Sequence, residues 1–260
     1  MIIFGGSLLQ VIMNSRRSSR IPFKLSIFSS EILNRRLNFV QLFQHKHCVL
    51  CQASDHRDIC AACLHDLPRL SQAHCPSCLL PVPSSQICGT CLRKPPAWNQ
   101  IRAALRYTYP VDALIQALKY RSDLPLAPIL ADLLLTELQE DSLPDYVIPV
   151  PLHPDRLRDR GFNQAHEISR YLCRKTGCKL LPAACVRIRS TPSQTEIPWK
   201  KRKQNIRNAF ICTQNFAGKQ VAIVDDVMTS GATLNELAKV ILRQGAGSVR
   251  AWVVARAFPS

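Results

Sequence analysis

The residues best suited to chemistry lie in one stretch near the carboxyl terminus. Residues 221–234 read VAIVDDVMTSGATL, so two adjacent acids, Asp225 and Asp226, precede a short loop of small and hydroxyl residues. Gly231 lets the loop backbone approach a ligand closely, and the neighbouring hydroxyl groups can donate hydrogen bonds. Adjacent carboxylates repel a phosphate, but they suit the vicinal hydroxyls of a ribose and can hold a divalent cation. The stretch therefore predicts a site for a sugar phosphate.

The segments around this loop predict a strand before it and a helix after it. Residues 221–224 are apolar and mostly β-branched, as in a strand buried on both faces of a parallel sheet. From Thr233 onward the apolar residues follow a helical period. The loop would then join a strand's carboxyl end to a helix amino terminus, where N–H groups and the helix dipole favour an anion. An ordinary βα unit with a solvated acidic turn is the alternative.

This arrangement resembles the phosphoribosyl pyrophosphate (PRPP) signature of type I phosphoribosyltransferases, in which an apolar strand and two acids precede a Thr/Ser/Gly loop. The resemblance implies an α/β domain whose parallel sheet is flanked by helices. It implies that Asp225 and Asp226 act as the catalytic pair and hold the ribose together with Mg2+. It also implies that the 5-phosphate binds to the loop residues Thr229, Ser230, Gly231, Ala232 and Thr233.

Eight of the twelve cysteines form a second candidate site within residues 45–94. They occur as four Cys-x-x-Cys pairs, which are Cys48/Cys51, Cys60/Cys63, Cys75/Cys78 and Cys88/Cys91. One such turn directs two thiolates at one ion, and two turns complete a tetrahedral zinc site. The four pairs predict a double zinc ribbon with two structural zinc ions, although spacing does not indicate which pairs share an ion. Disulfides or thioredoxin-type redox chemistry are the alternatives, and four pairs argue against them.

The rest of the chain divides into an extension, a linker and one larger domain. We expect residues 1–40 to be a disordered extension, with a later start of the protein as the alternative; their apolar beginning is too short to span a membrane. Paired prolines mark residues 95–100 as a linker. In residues 101–260, strands and helices alternate as in βαβ units around a parallel sheet. Strands are predicted at residues 101–109, 146–150, 221–224 and 249–255, and helices at residues 111–120, 126–138, 165–175 and 233–242.

Two basic segments could face the same crevice, and the formal net charge of +16 agrees with polyanionic partners. In the first segment, Arg158 and Arg160 precede a predicted helix that Asn163 could cap. We expect these two guanidinium groups to bind pyrophosphate. The second segment begins at Arg187 and includes consecutive basic residues at positions 200–203. A solvated charged face is the alternative for each segment.

The order of these motifs resembles that of the ComF/GntX family. The shared features are the cysteine pairs, a Lys-Pro-Pro-x-Trp linker, Pro-Val-Pro-Leu at 149–152, Arg-Gly-Phe-Asn-Gln at 160–164 and the PRPP loop. The resemblance implies a cytoplasmic protein with a part in natural transformation or in the use of external DNA as a nutrient. It also implies that the protein handles single-stranded DNA beside a helicase and recombination proteins. The extension before residue 40 departs from the family pattern.

Two functions remain open from the sequence. One is a PRPP-dependent phosphoribosyltransferase, a glycosyltransferase whose acceptor no residue pattern identifies. The other is a non-catalytic adaptor that uses the same fold to bind single-stranded DNA or a protein partner. Aromatic residues make up 7% of the chain and do not interleave with its lysines, which argues against base stacking but not against backbone binding.

Overall fold

The computed structural model describes residues 46–139, 141–190 and 206–258. The predictions for the extension at residues 1–40 and for the basic run at residues 200–203 lie outside these residues. Within the described ranges, no helix is long and apolar enough to cross a bilayer.

The cysteine-rich part contains four short elements. β1 (Lys46–His47) pairs with β2 (Ser54–Asp55) in an antiparallel ribbon. Two five-residue helices follow, α1 (Ala61–His65) and α2 (Gly89–Arg93). Cys60 precedes α1 and Cys88 precedes α2, so a predicted metal ligand stands at the start of each helix. Elements this short provide little stability of their own, which leaves metal coordination to supply much of it.

A parallel sheet forms the centre of the larger domain. The strands of this domain are β3 (Gln100–Arg106), β4 (Tyr146–Pro149), β5 (Lys179–Leu180), β6 (Cys185–Arg187), β7 (Phe210–Cys212), β8 (Gln220–Met228) and β9 (Ser248–Arg256). Five of them form the sheet in the order β3-β9-β8-β4-β5 with every pairing parallel, while β6 and β7 pair separately in antiparallel fashion. The central strand, β8, carries the predicted acids.

Helices cover both faces of this sheet. They are α3 (Val111–Arg121), α4 (Leu126–Leu135), α5 (Pro154–Arg160), α6 (Gln164–Thr176) and α7 (Ala232–Arg243). Ala222 and Val224 of β8 pack in one apolar cluster with α3, α4 and α6. Val221 and Ile223 point the other way and pack in a second cluster with α7. Burial on both faces explains why the sequence of this strand is uniformly apolar.

The structure confirms the parallel α/β fold and corrects several element boundaries. β8 continues to Met228, so Asp225 and Asp226 are strand residues, whereas the sequence predicted a strand that stops before them. Pairing with β9 extends as far as Met228 opposite Arg256, and these backbone hydrogen bonds outweigh the low strand propensity of aspartate. β3 ends at Arg106, three residues before the predicted end at 109, and the short helix α5 was not predicted.

Candidate functional site

A cleft opens at the carboxyl end of β8, which is where parallel sheets generally bind ligands. Asp225 and Asp226 line it, together with the loop after β8 and the first turn of α7. Elements distant in sequence complete the lining with the side chains of Lys119, Tyr120, Arg156, Arg160, Gln164 and Arg187. The fold thus brings basic groups from α3, α5 and β6 to the two predicted acids.

Asp226 is held by partners from two helices. The residue is 2% exposed, its Oδ2 forms an ion pair with Lys119 Nζ, and its Oδ1 accepts a hydrogen bond from Gln164 Nε2 at 3.1 Å. Gln164 in turn accepts a hydrogen bond from Arg160. Burial disfavours the charged carboxylate, yet Lys119 and Gln164 hold the pKa of Asp226 below its ordinary value. Asp226 therefore stays ionised and fixes α3 and α6 against the strand.

Asp225 lies in a different electrostatic environment. Burial, followed by the charge of neighbouring Asp226, raises the pKa of Asp225 well above its ordinary value. Its Oδ1 accepts a hydrogen bond from the Asp226 backbone N–H at 2.9 Å. A carboxylate whose ionised form is disfavoured in this way gains from a divalent cation or from sugar hydroxyls. The two oxygen donors on β8 therefore fit Mg2+, which prefers oxygen ligands and binds through one or two carboxylates together with a phosphorylated substrate.

The cleft has an excess of positive charge. Among the described residues that line it, four are basic and two are acidic. Arg187 is 8% exposed, and burial together with nearby Arg156 lowers its pKa. Two guanidinium groups held close together, one of them buried, indicate a site that an anion would stabilise.

The predicted binding residues do not all face this cleft. Arg160 lines it, but Arg158 does not; Arg158 pairs with Asp155 on the exposed surface of α5. The role of Arg158 in phosphate binding stays a prediction. Of the loop residues, Thr229, Gly231 and Thr233 line the cleft, whereas Ser230 and Ala232 line a second cavity behind the loop.

The loop conformation depends on Gly231. This residue has a φ of 72° and occupies the position before α7. A Cβ atom there would lie 3.0 Å from Trp98 Cη2 and 3.1 Å from Met228 Cε. Glycine is therefore favoured by the left-handed backbone and by the close approach of the Trp98 ring.

The eight predicted cysteine ligands form two clusters. Site 1 consists of Cys48, Cys51, Cys60 and Cys63, and site 2 consists of Cys75, Cys78, Cys88 and Cys91. Within each site all sulfur atoms lie within 4.8 Å of one another. Consecutive pairs along the chain thus share a site, which the spacing had left open.

The sulfur positions fit zinc. Cys51 Sγ lies 3.7 Å from Cys60 Sγ, and Cys78 Sγ lies 3.6 Å from Cys88 Sγ. Four sulfurs about 2.3 Å from a zinc ion would be about 3.8 Å apart, whereas a disulfide requires about 2.05 Å. Burial opposes ionisation of Cys48, but backbone N–H groups directed at its sulfur, first that of Cys60, lower its pKa to about 6. A thiolate is the form that binds metal.

Comparison with known proteins agrees with the interpretation of both the cysteine-rich part and the larger domain. A family described as a double zinc ribbon domain matches residues 39–92, and one described as a phosphoribosyl transferase domain matches residues 158–257. The DNA utilization protein YhgH of Escherichia coli (strain K12) is 36% identical over 219 residues, which cover 80% of this chain and 96% of that protein. This chain belongs to the ComF/GntX family.

Two further relatives support this assignment. Competence protein F of Haemophilus influenzae is 32% identical to this ComF/GntX protein over 228 residues, covering 83% of this chain and 99% of the relative. Competence protein ComFC of Streptococcus pneumoniae is 26% identical over 218 residues, which cover 80% of this chain and 92% of the relative. Sites 1 and 2, with four cysteines each, fit the two zinc-binding sites of a double zinc ribbon.

Sequence reasoning missed Lys119 and gave no individual role to Arg187 in this ComF/GntX chain. Lys119 follows buried Ile115 by four residues, so the helical period places it at the edge of the apolar face of α3. That spacing could have indicated a partly buried lysine on α3. The sequence indicates only that Arg187 begins a basic segment. Its proximity to Arg156 depends on the tertiary position of β6.

Zinc content tests the assignment of cysteines to sites. We expect the purified protein to hold two zinc ions per chain. The double variant Cys51→Ser/Cys60→Ser alters site 1 alone and should keep one ion after dialysis against a weak chelator. The matched variant Cys51→Ser/Cys88→Ser alters both sites and should keep none. Elemental analysis would contradict the pairing if the two double variants lost equal amounts of zinc.

Opposite effects on stability are expected for the two acids. Because folding raises the pKa of Asp225, its ionised form destabilises the native protein, and stability falls as pH rises above the ordinary aspartate range near pH 3.8. Asp225→Asn should therefore raise the melting temperature at pH 7.5 without Mg2+, because each unit of raised pKa corresponds to about 1.4 kcal/mol of lost folding free energy. Near pH 3.8 the two proteins should melt alike.

Asp226→Asn is the matched control for this comparison. The pKa of Asp226 is lowered, so its charge stabilises the folded protein above the ordinary aspartate pKa, and that contribution disappears as pH falls through the lowered value. Removing the charge leaves the half-buried Lys119 ammonium group without this partner and should cost about 3 kcal/mol at pH 7.5. Thermal melts in which both substitutions destabilise equally would contradict the electrostatic difference between the acids.

Proposed function

We propose that this ComF/GntX protein binds PRPP, or another ribose 5-phosphate compound, together with Mg2+ in the cleft on β8. One observation carries the proposal: two carboxylates at the end of the central strand lie directly before a glycine loop and helix amino terminus, opposite buried Arg187. This arrangement offers oxygen donors for the sugar and cation, and positive groups for the phosphates.

The proposed roles follow from the position of each residue. The amino-terminal N–H groups of α7, with the side chains of Thr229 and Thr233, would hold the 5-phosphate. Asp225 and Asp226 would hold the ribose hydroxyls and the cation, and bound Mg2+ would supply positive charge between sugar and pyrophosphate. In phosphoribosyl transfer, Arg160 and Arg187 would stabilise the charge that develops on departing pyrophosphate.

We place this binding activity in the cytoplasm, in natural transformation or the use of external DNA, beside a helicase and recombination proteins. The part in transformation or DNA use is supported by the names of the relatives, which are a DNA utilization protein and two competence proteins. The location and the protein partners are proposed from the resemblance to the ComF/GntX family.

A second candidate function is a non-catalytic adaptor for single-stranded DNA or a protein partner. The net charge of +16 favours a polyanion. At the mouth of the cleft, Tyr120 is 67% exposed and its ring lies 5.5 Å from the Arg160 guanidinium. An exposed aromatic ring beside an arginine is the kind of surface on which a nucleotide base stacks.

Calorimetry with PRPP and Mg2+ tests the proposal. Asp225→Ala/Asp226→Ala should weaken binding more than about 100-fold, since hydrogen bonds to charged groups contribute about 1.5–3 kcal/mol each. Asp141→Ala/Asp145→Ala is a matched control, because it removes the same charge beside the amino ends of the strands. We expect the control to bind PRPP as the unaltered protein does.

Failure of the folded, zinc-loaded protein to bind PRPP would reject the proposal. Binding of an oligonucleotide that persists in Asp225→Ala/Asp226→Ala and weakens steeply with salt would favour the adaptor instead.

A further inference from the structure

Site 2 is connected by a buried arginine to residues 229–233, the proposed phosphate loop. Arg256 ends β9, is 2% exposed, and its Nε donates a hydrogen bond to the carbonyl oxygen of Cys78 at 2.9 Å. Its Nη1 donates to the carbonyl oxygen of Met228 at 3.1 Å and also to that of Thr229. One guanidinium group therefore joins the backbone of a zinc ligand to the first residue of the loop.

Trp98 makes a second connection between the same parts. Its Nε1–H donates to the carbonyl oxygen of Ser77, which lies between the site 2 ligands Cys75 and Cys78. The other edge of its indole ring lies against Gly231, where even a methyl group would be crowded. The adjacent residue Ala97 donates its backbone N–H to Asn235 Oδ1 on α7, at 2.8 Å.

The loop is not packed solidly against site 2. A cavity of about 490 Å³ lies between them, bordered by residues of both parts, among them Cys91, Pro96, Ser230 and Ala232. Where a cavity replaces packed side chains, the position of a loop depends on the few groups that cross or border the gap. Among the residues that line this cavity, Arg256 and Trp98 donate side-chain hydrogen bonds to the backbone of site 2.

Site 1 is placed differently. Cys48, Ile59 and Leu67 pack in the apolar cluster that contains α3 and α4. The site 2 ligands Cys75, Cys78 and Cys91 belong to the other cluster, together with Trp98, Met228 and Ala232. The two metal sites therefore lie against different faces of the fold, and site 2 lies against the face that carries the loop.

We propose that Arg256 and Trp98 are positioning residues that make the shape of the phosphate loop, and hence its affinity for phosphate, depend on metal at site 2 and not at site 1. The part about affinity rests on the proposed function. Metal at site 2 fixes the carbonyl groups of Ser77 and Cys78, these fix the indole and the guanidinium, and both side chains hold the loop open at the cleft. Without that metal the loop would sample other conformations and bind phosphate less tightly.

The first test compares loss of metal at each site. Cys88→Ser alters site 2, and Cys51→Ser is the matched control at site 1. Hydrogen exchange of the peptide that contains residues 229–234 should become faster in Cys88→Ser and stay unchanged in Cys51→Ser. Calorimetry with ribose 5-phosphate should show binding weakened about tenfold by Cys88→Ser, within the usual range of coupling between sites, and by less than about twofold by Cys51→Ser.

A second pair of variants tests the connection with both zinc sites intact. Trp98→Phe removes the hydrogen bond to Ser77 and part of the contact with Gly231, and it should weaken ribose 5-phosphate binding about fivefold. Trp252→Phe is the control, because this buried tryptophan lies in the α3 and α4 cluster and its Nε1 has no hydrogen-bond partner among the described residues. If Cys88→Ser does not fold, this pair of variants still shows whether the contacts of Trp98 position the loop.

Arg256→Lys adds the conservative comparison. A single ammonium group keeps the charge but cannot reach the carbonyl groups of Cys78 and Thr229 together, so loop exchange should rise although both zinc ions are retained.

The outcomes separate this inference from the proposed function. If the unaltered protein binds no ribose 5-phosphate, the proposed function fails, and loop exchange in Cys88→Ser and Cys51→Ser still decides whether site 2 positions the loop. If it binds, but exchange and affinity change equally in each variant and its control, the positioning role is wrong and the proposed function stands.

Discussion

Burial of the Asp226 carboxylate is the constraint on which the cleft depends. Removing one carboxylate from water costs several kcal/mol, so the charge is tolerated only with close partners. Lys119 and Gln164 provide them, and each is fixed by a helix packed on the sheet. The same requirement orients Arg160, which donates to Gln164 and lines the cleft. Asp225 lies one residue earlier on the strand and has a raised pKa, so its carboxylate suits a divalent cation or sugar hydroxyls.

The cysteine-rich segment packs against the larger domain. A cysteine-rich segment with only short strands and helices gains its order mainly from metal, as small zinc domains do. Its two clusters then contact separate apolar clusters of the domain, one beside α3 and α4 and one beside the phosphate loop. The site 2 cysteines thereby lie against the face of the fold on which phosphate binding is proposed, and neither cysteine cluster lines the cleft.

The sequence predicted those features that depend on local pattern. The apolar run of β8, the helical period of α7 and the Cys-x-x-Cys spacing are local, and each predicted the correct kind of element or site. Features that depend on tertiary contacts were not predicted. The extension of β8 through both acids comes from pairing with β9, and the contact of Lys119 with Asp226 joins residues that are distant in the chain. Arg256 lies just beyond the predicted strand at residues 249–255, and three of its four carbonyl partners are distant in the chain.

The central claim is that the acids of β8 and the loop after it form one site for a ribose phosphate. A crystal structure of the zinc-loaded protein with ribose 5-phosphate and Mg2+ tests it most directly. The phosphate oxygens should lie about 3 Å from the N–H groups of residues 229–233, with the ribose hydroxyls or the cation at Asp225 and Asp226. A saturated complex in which the phosphate binds elsewhere, and the two carboxylates contact neither sugar nor cation, would contradict the claim.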